Sequence, residues 1–476
     1  MRALHVLKRL PTAKLSYFLC ALAPLREAAF VTLFLATMAS SPAMADDGVD
    51  AALAARGYRL LLDTPYLGTS FSESAFDNLW QVWEEPWRSQ AKTASPDERR
   101  RLAFTRYGLT PRPDDPRKPM QYVVGSDGNW TMNCLACHQG KVAGKLIPGV
   151  PNSLYAMQSL VEDLRLEKFR SGKLPSREDV AGMLIPMGGS NGTTNATMFG
   201  VVLMNYRDPQ LNYIADRPFP KLVNHDMDAP PWWHYRRRNR LYIDGLAAKS
   251  HRALMQFTLV KENGPEKFIE REDDFRAIDA YISSLTPPKY PFEIDAPLAE
   301  RGRDVFHQTC SRCHGTHGPD GEYTQQWVAI DEVGTSRVRL DSLTPAHRKS
   351  YGDSWFNRFG VYPVVTDPVG YIPPPLDGIW ATAPYFHNGS VPTLWHVLHP
   401  GERPDVWHRS EDGYDPSRVG LEVAELAELP AEAKTGPVRR QYFDTRLFGK
   451  SATGHDFAEV LSEEERRAVL EYLKTL

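Results

Sequence analysis

Cysteine is scarce in this chain, with five in 476 residues. Four of the five fall in two short motifs, and the fifth, Cys20, lies in an N-terminal stretch that reads as a cleaved leader. A disulfide framework is therefore excluded for the mature chain. Long apolar runs are missing too: the N-terminal one, Ala28 to Ala39, has about 12 residues against the ~20 that a spanning helix needs. Blocks of like charge are also absent. With 56 Lys and Arg against 59 Asp and Glu, dispersed along the chain to a net charge of -3, nothing points to nucleic acid.

What is there is Cys134-Leu135-Ala136-Cys137-His138, with a second copy at Cys310-Ser311-Arg312-Cys313-His314. C-x-x-C-H is a c-type haem attachment site, in which two thiols add across the haem vinyls and the adjacent histidine becomes the proximal iron ligand. The spacing follows from that chemistry, because two intervening residues let one turn of chain reach both vinyls. A bare C-x-x-C would also suit a redox dithiol or half a zinc site, but the terminal histidine, present twice, argues against both. Two covalently bound haem c groups are the working premise, with Cys134, Cys137, Cys310 and Cys313 as attachment points and His138 and His314 as metal ligands.

The leader has basic residues at Arg2, Lys8, Arg9 and Lys14, the apolar run, and Ala43-Met44-Ala45 before a cleavage site at Asp46. Residues 1–45 are read as a signal peptide, which predicts a periplasmic or secreted protein with no stable membrane span after cleavage. Haem attachment belongs to the same oxidising compartment.

Along the mature chain, a helix is predicted from Pro96 and a short strand at Tyr122 to Gly125. Residues Gly140 to Pro151 read as a loop, Leu154 to Phe169 as an amphipathic helix, and Asp208 to Pro231 as an irregular excursion. Phe275 to Leu285 and Arg466 to Leu476 match each other, each behind an acidic lead and each closing a segment opened by C-x-x-C-H. That internal repeat predicts a mainly α fold of two tandem cytochrome c-like domains, 46–288 and 289–476, with long irregular loop insertions. The proline-rich Thr286 to Pro291 is the linker.

The repeat also makes the halves unequal. His455 lies 17 residues before Tyr472, and the position 17 before Tyr281 is Gly264. His314 and His455 are thus the inferred axial pair of haem II, and haem I keeps His138 with an open distal side unless His251 or Met255 closes it.

Thr382-Ala383-Pro384-Tyr385-Phe386-His387-Asn388-Gly389-Ser390-Val391-Pro392-Thr393-Leu394, with Gly454-His455-Asp456-Phe457 further on, resembles the signature of a dihaem superfamily. Its members are the bacterial cytochrome c peroxidases, the dihaem enzyme that matures methylamine dehydrogenase, and dihaem rubber oxygenases; the rubber-oxygenase branch is the most similar. The resemblance implies two unequal haems, usually with the N-terminal one reactive toward peroxide or dioxygen and the other relaying electrons. It also implies His455 as the second ligand of haem II, and by the peroxidase pattern His387 or His399 as runners-up. The chain is shorter than the rubber oxygenases and carries its own Pro230 to Arg238 insert, so substrate identity does not transfer.

The function expected is a dihaem cytochrome c peroxidase-like or oxygenase-like oxidoreductase. Its partners would be a small redox protein or another electron donor or acceptor, with H2O2, O2 or an organic substrate. Trp232 and Trp233 are candidates for an aromatic between the haems, and Glu262 and Glu266 for a distal acid–base group. Each has a plainer reading, as core packing and as a solvated helix face. The alternative function is a pure electron carrier with both haems six-coordinate.

Overall fold

The computed structural model describes residues 50–173, 187–318 and 320–476; the leader, with Cys20, lies outside them. The described residues belong to one compact unit that is mainly α-helical. Its principal helices are α1 (Ala51–Asp63), α2 (Pro96–Tyr107), α3 (Met157–Arg170), α4 (Glu272–Ser284), α5 (Ala296–Thr309) and α6 (Glu463–Leu473). Local chemistry sets several of their starts. Ser95 and Ser462 each close a capping box with the glutamate three residues on, Glu98 and Glu465. Asp295 caps α5 by accepting from the Leu298 amide.

Two helix crossings repeat. α1 packs on α4 and α5 packs on α6, and each crossing turns on a glycine. A Cβ on Gly57 would stand 2.0 Å from the Ala277 carbonyl oxygen, and one on Gly302 would stand 1.8 Å from that of Ala468. Only glycine lets the backbones approach so closely. Ala277 and Ala468 occupy matching places in the repeated helices, four residues before Tyr281 and Tyr472. Around α1 and α4 gathers a core of Leu61, Phe268, Phe275, Ile278 and Ile282. Around α5 and α6 a second core contains Phe306, Trp380, Tyr385, Val469 and Leu473.

The strands are short and peripheral. β1 (Phe71–Ser72), β2 (Tyr122–Val124) and β3 (Asn129–Met132) form one antiparallel sheet in the order β1-β3-β2. β4 (Gln139–Val142) and β5 (Lys145–Pro148) form a hairpin, so the stretch read as a loop after His138 is paired instead. Its turn is Ala143-Gly144, both at positive φ, a hairpin signal weaker than Asn-Gly. β6 (Val406–Asp415), β7 (Gly420–Leu426) and β8 (Tyr442–Asp444) make a second sheet inside the long insertion. The 208–231 excursion is irregular, as expected, but its last part is not superficial: His225, Asp226 and Ala229 are buried.

Among the described residues, no helix is long and apolar enough to cross a membrane.

Candidate haem sites

Each C-x-x-C-H motif is a single helical turn, Leu135–His138 and Ser311–His314. The first is tied down by Asn133, whose side-chain oxygen accepts from the Leu135 amide at 2.9 Å while its amide donates to the carbonyls of Leu61 and Met120. The second follows directly on α5, with the Cys310 amide donating to the Phe306 carbonyl. Among the described residues, the four motif cysteines form no disulfide, and no three His, Cys, Asp or Glu side chains converge as a metal cluster.

The two proximal histidines are held in the same way. His138 Nδ1 lies 3.1 Å from the Pro230 carbonyl oxygen, and His314 Nδ1 lies 3.1 Å from that of Pro374. A carbonyl can only accept, so Nδ1 carries the proton and donates, leaving the Nε2 lone pair for iron. Burial lowers both imidazoles to about 4, which keeps them neutral, as a ligand must be. Pro230 therefore does for His138 what Pro374 does for His314. The Pro230 to Arg238 insert thus begins as the wall behind His138.

Opposite His314 stands His455. The ring centroids are 6.0 Å apart. Two metal–nitrogen bonds of about 2 Å each, plus the half-width of each ring, span that distance, so the pair fits one iron between them. His455 sits at φ 55, and the preceding Gly454 at φ 79. A Cβ on Gly454 would stand 2.1 Å from the Gly334 carbonyl carbon, so that close backbone approach admits only glycine. The His455 amide donates to the Val333 carbonyl at 2.6 Å, and Arg403 donates to the carbonyls of Ala452 and Gly454, both at 2.7 Å. Phe386 and Phe457 flank the ring. Its Nδ1 is buried without a partner, and burial, with His314 and Arg403 nearby, lowers its pKa to about 3.

The other candidate histidines have contacts of their own. His399 engages both ring nitrogens, with the Trp395 carbonyl and with Glu463, each at 2.9 Å. His387 packs its ring on Tyr371. His251 directs Nε2 to Glu272 at 2.8 Å. Met255 is wholly buried in the same apolar cluster as Leu135, beside the first motif. Glu262 and Glu266 are exposed, which suits the solvated-face reading.

Between the two sites lies a junction that spacing alone does not reveal. Trp232 stacks on His138, with centroids 4.9 Å apart and planes 22° from parallel. The next residue, Trp233, donates its indole N–H to the Asp377 carbonyl at 2.7 Å, and His234 Nε2 donates to the same oxygen at 2.8 Å. Arg237 pairs with the Asp377 carboxylate at 2.9 Å. Asp377 follows Pro374 by three residues, so a buried bridge runs from the wall behind His138 to the wall behind His314. The only sequence signal for it was the Trp pair.

Burial lowers His234 to about 4 from an ordinary 6.5. Between those values the unfolded chain binds a proton that the folded chain refuses. Stability at this site is therefore full above pH 6.5 and is lost as pH falls toward 4. His234→Gln keeps an N–H for the Asp377 carbonyl and removes the titration. Urea unfolding at pH 7 and pH 4 should show the wild type losing about 2 to 3 kcal/mol more than the variant; equal losses would remove His234 from the account.

With the geometry in place, the family model described as "RoxA-like, cytochrome c-like" matches residues 370–408. That segment runs from the Pro374 wall through Phe386 and His399 to the start of β6. The chain is also similar to two proteins of Sinorhizobium fredii (strain NBRC 101917 / NGR234). It is 28% identical to "Uncharacterized protein y4iM" over 322 residues, 60% of this chain and 70% of the relative. It is 29% identical to "Uncharacterized protein y4iJ" over 261 residues, 41% of this chain and 42% of the relative. The cytochrome c-like match implies covalently bound haem c and a haem oxidoreductase.

Proposed function

We propose that the chain is an exported dihaem c-type cytochrome oxidoreductase of two cytochrome c-like units, 46–288 and 289–476. Peroxide or dioxygen would react at haem I, on the face away from His138, and haem II would store and relay electrons. The observation that carries this reading is the inequality of the two sites. His314 faces a second imidazole at 6.0 Å, whereas the ring against His138 is the indole of Trp232. When bound, a haem with one protein ligand offers an open iron face to a small molecule, and one with two passes single electrons.

The chain's own residues do the rest. Pro230 and Pro374 orient the proximal imidazoles and hold their Nδ1 protons. Arg403 and the Val333 carbonyl fix His455 in register with His314. Trp232 and Trp233 place two electron-rich rings in the junction, where Asp377 pins the second.

The test uses the mature protein with both haems attached. One haem should be high-spin when ferric, and H2O2 and CO should each perturb its spectrum. A protein that is wholly low-spin and inert to both is the pure electron carrier. Consumption of H2O2 with a reduced small cytochrome, or of O2 with an organic substrate, then separates peroxidase from oxygenase.

A further inference from the structure

The proposed function leaves unused an aromatic cluster that packs directly against Cys137. Tyr122 and Tyr155 share a hydrogen bond of 2.8 Å between their hydroxyls, and the Tyr122 ring lies 5.9 Å from that of Trp130. Phe76 stands between Trp130 and Tyr107, with centroids 4.6 and 6.3 Å away. Trp83 donates its indole N–H to the Tyr107 oxygen at 2.7 Å, and Tyr107 donates its own proton to Asp163 at 2.7 Å. Core packing alone would not require this polar thread through an apolar cluster, and a buried carboxylate there is costly unless it is paired, as Asp163 is with Arg106.

The outer end of the cluster opens to solvent. Phe76, Trp80 and Trp83 line a shallow cleft of about 70 Å³ with Arg99 and Arg117 at its rim, while Arg100 is buried and paired with Glu73. Asp77, also in the cleft, pairs with Arg100. Arg99 lies 4.8 Å over the Trp80 ring and donates to the carbonyls of Ala91 and Ala94, neither of which neutralises its charge. An aromatic floor under a guanidinium suits a planar anion.

We infer that these rings conduct electrons from the Trp80 cleft to the haem I site, and that the cleft binds a small anionic phenol as their source. The inference rests on haem I reacting with peroxide. Tyr107 gives up one electron toward haem I as its proton passes along the existing bond to Asp163. An electron from the phenol, arriving through Trp83, restores the tyrosine, and Asp163 returns the proton. The phenol loses its hydroxyl proton to water and leaves as a phenoxyl radical. Two phenols and one H2O2 thus become two phenoxyl radicals and two waters.

The experiment uses the mature dihaem protein, with syringate as the phenol. Peroxide alone should generate a tyrosyl signal in electron paramagnetic resonance. Peptide mass spectrometry of the wild type should find oxidation at Tyr107 and Trp83. Tyr107→Phe should diminish the signal, and Trp83→Phe should leave it but slow its quenching by syringate, with the peroxide-induced change of the haem I spectrum persisting in both. Syringate should suppress the damage, and Arg99→Gln should raise its KM about fivefold with the peroxide step unchanged. If haem I responds but oxidation falls at Trp232 and Trp233 or leaves the cluster untouched, the inference is overturned and the functional reading stands. If haem I does not respond to peroxide, the functional reading fails and the inference falls with it.

Discussion

Replacing His455 by alanine is expected to convert haem II from low-spin to high-spin, removing essentially all of the protein's low-spin absorption if haem I is already open. The effect is large because no neighbour can substitute. His399 already uses both ring nitrogens, and His387 is packed at a tilt against Tyr371. His455→Met should keep haem II low-spin and raise its potential, since thioether ligation favours the reduced iron. Together the two variants separate loss of a ligand from loss of the fold. An unchanged haem II spectrum in the alanine variant, read by absorption and magnetic circular dichroism, would retire the pairing with His314.

Gly302→Ala is expected to cost about 3 kcal/mol or more, the upper end of what overpacking does. The added methyl would stand 1.8 Å from the backbone oxygen of Ala468, and backbone cannot swing aside as a side chain can. Relief requires α5 and α6 to separate, which loosens Phe306, Val469 and Tyr472 in the core beside the second motif. Gly57→Ala should cost a similar amount at the α1–α4 crossing, where the gap is 2.0 Å. Urea unfolding of each variant measures it. A loss below about 1 kcal/mol at either glycine would mean that the crossings relax and do not lock the helices.

The attachment chemistry was legible because it is local. Two thiols and an imidazole on one turn of chain are specified by five consecutive residues, and the repeated helices could be matched through their acidic leads and tyrosines. The glycines of the crossings were present in the sequence but silent, since a close approach is a property of two segments far apart in the chain. The β4–β5 hairpin was hidden in the same way. Its turn, Ala143-Gly144, is a weak signal, and its strands declare themselves only once paired. Glu262 and Glu266 illustrate the opposite failure: a position inferred from repeat register said nothing about which way a helix face points, and both side chains are exposed.

By itself the sequence determined where attachment is expected: Cys134, Cys137, Cys310 and Cys313 at fixed spacing, with His138 and His314 beside them, an expectation that follows from covalent reach. Only the tertiary structure decided what lies around those histidines. It set Trp232 against His138 and placed the Pro230 carbonyl behind that imidazole, whereas the facing of His314 by His455 was already expected from the repeat. The physical reason is that coordination, stacking and hydrogen bonding act over a few ångströms of space, and the residues that come within that range are selected by helix crossings and strand approaches, not by their order in the chain.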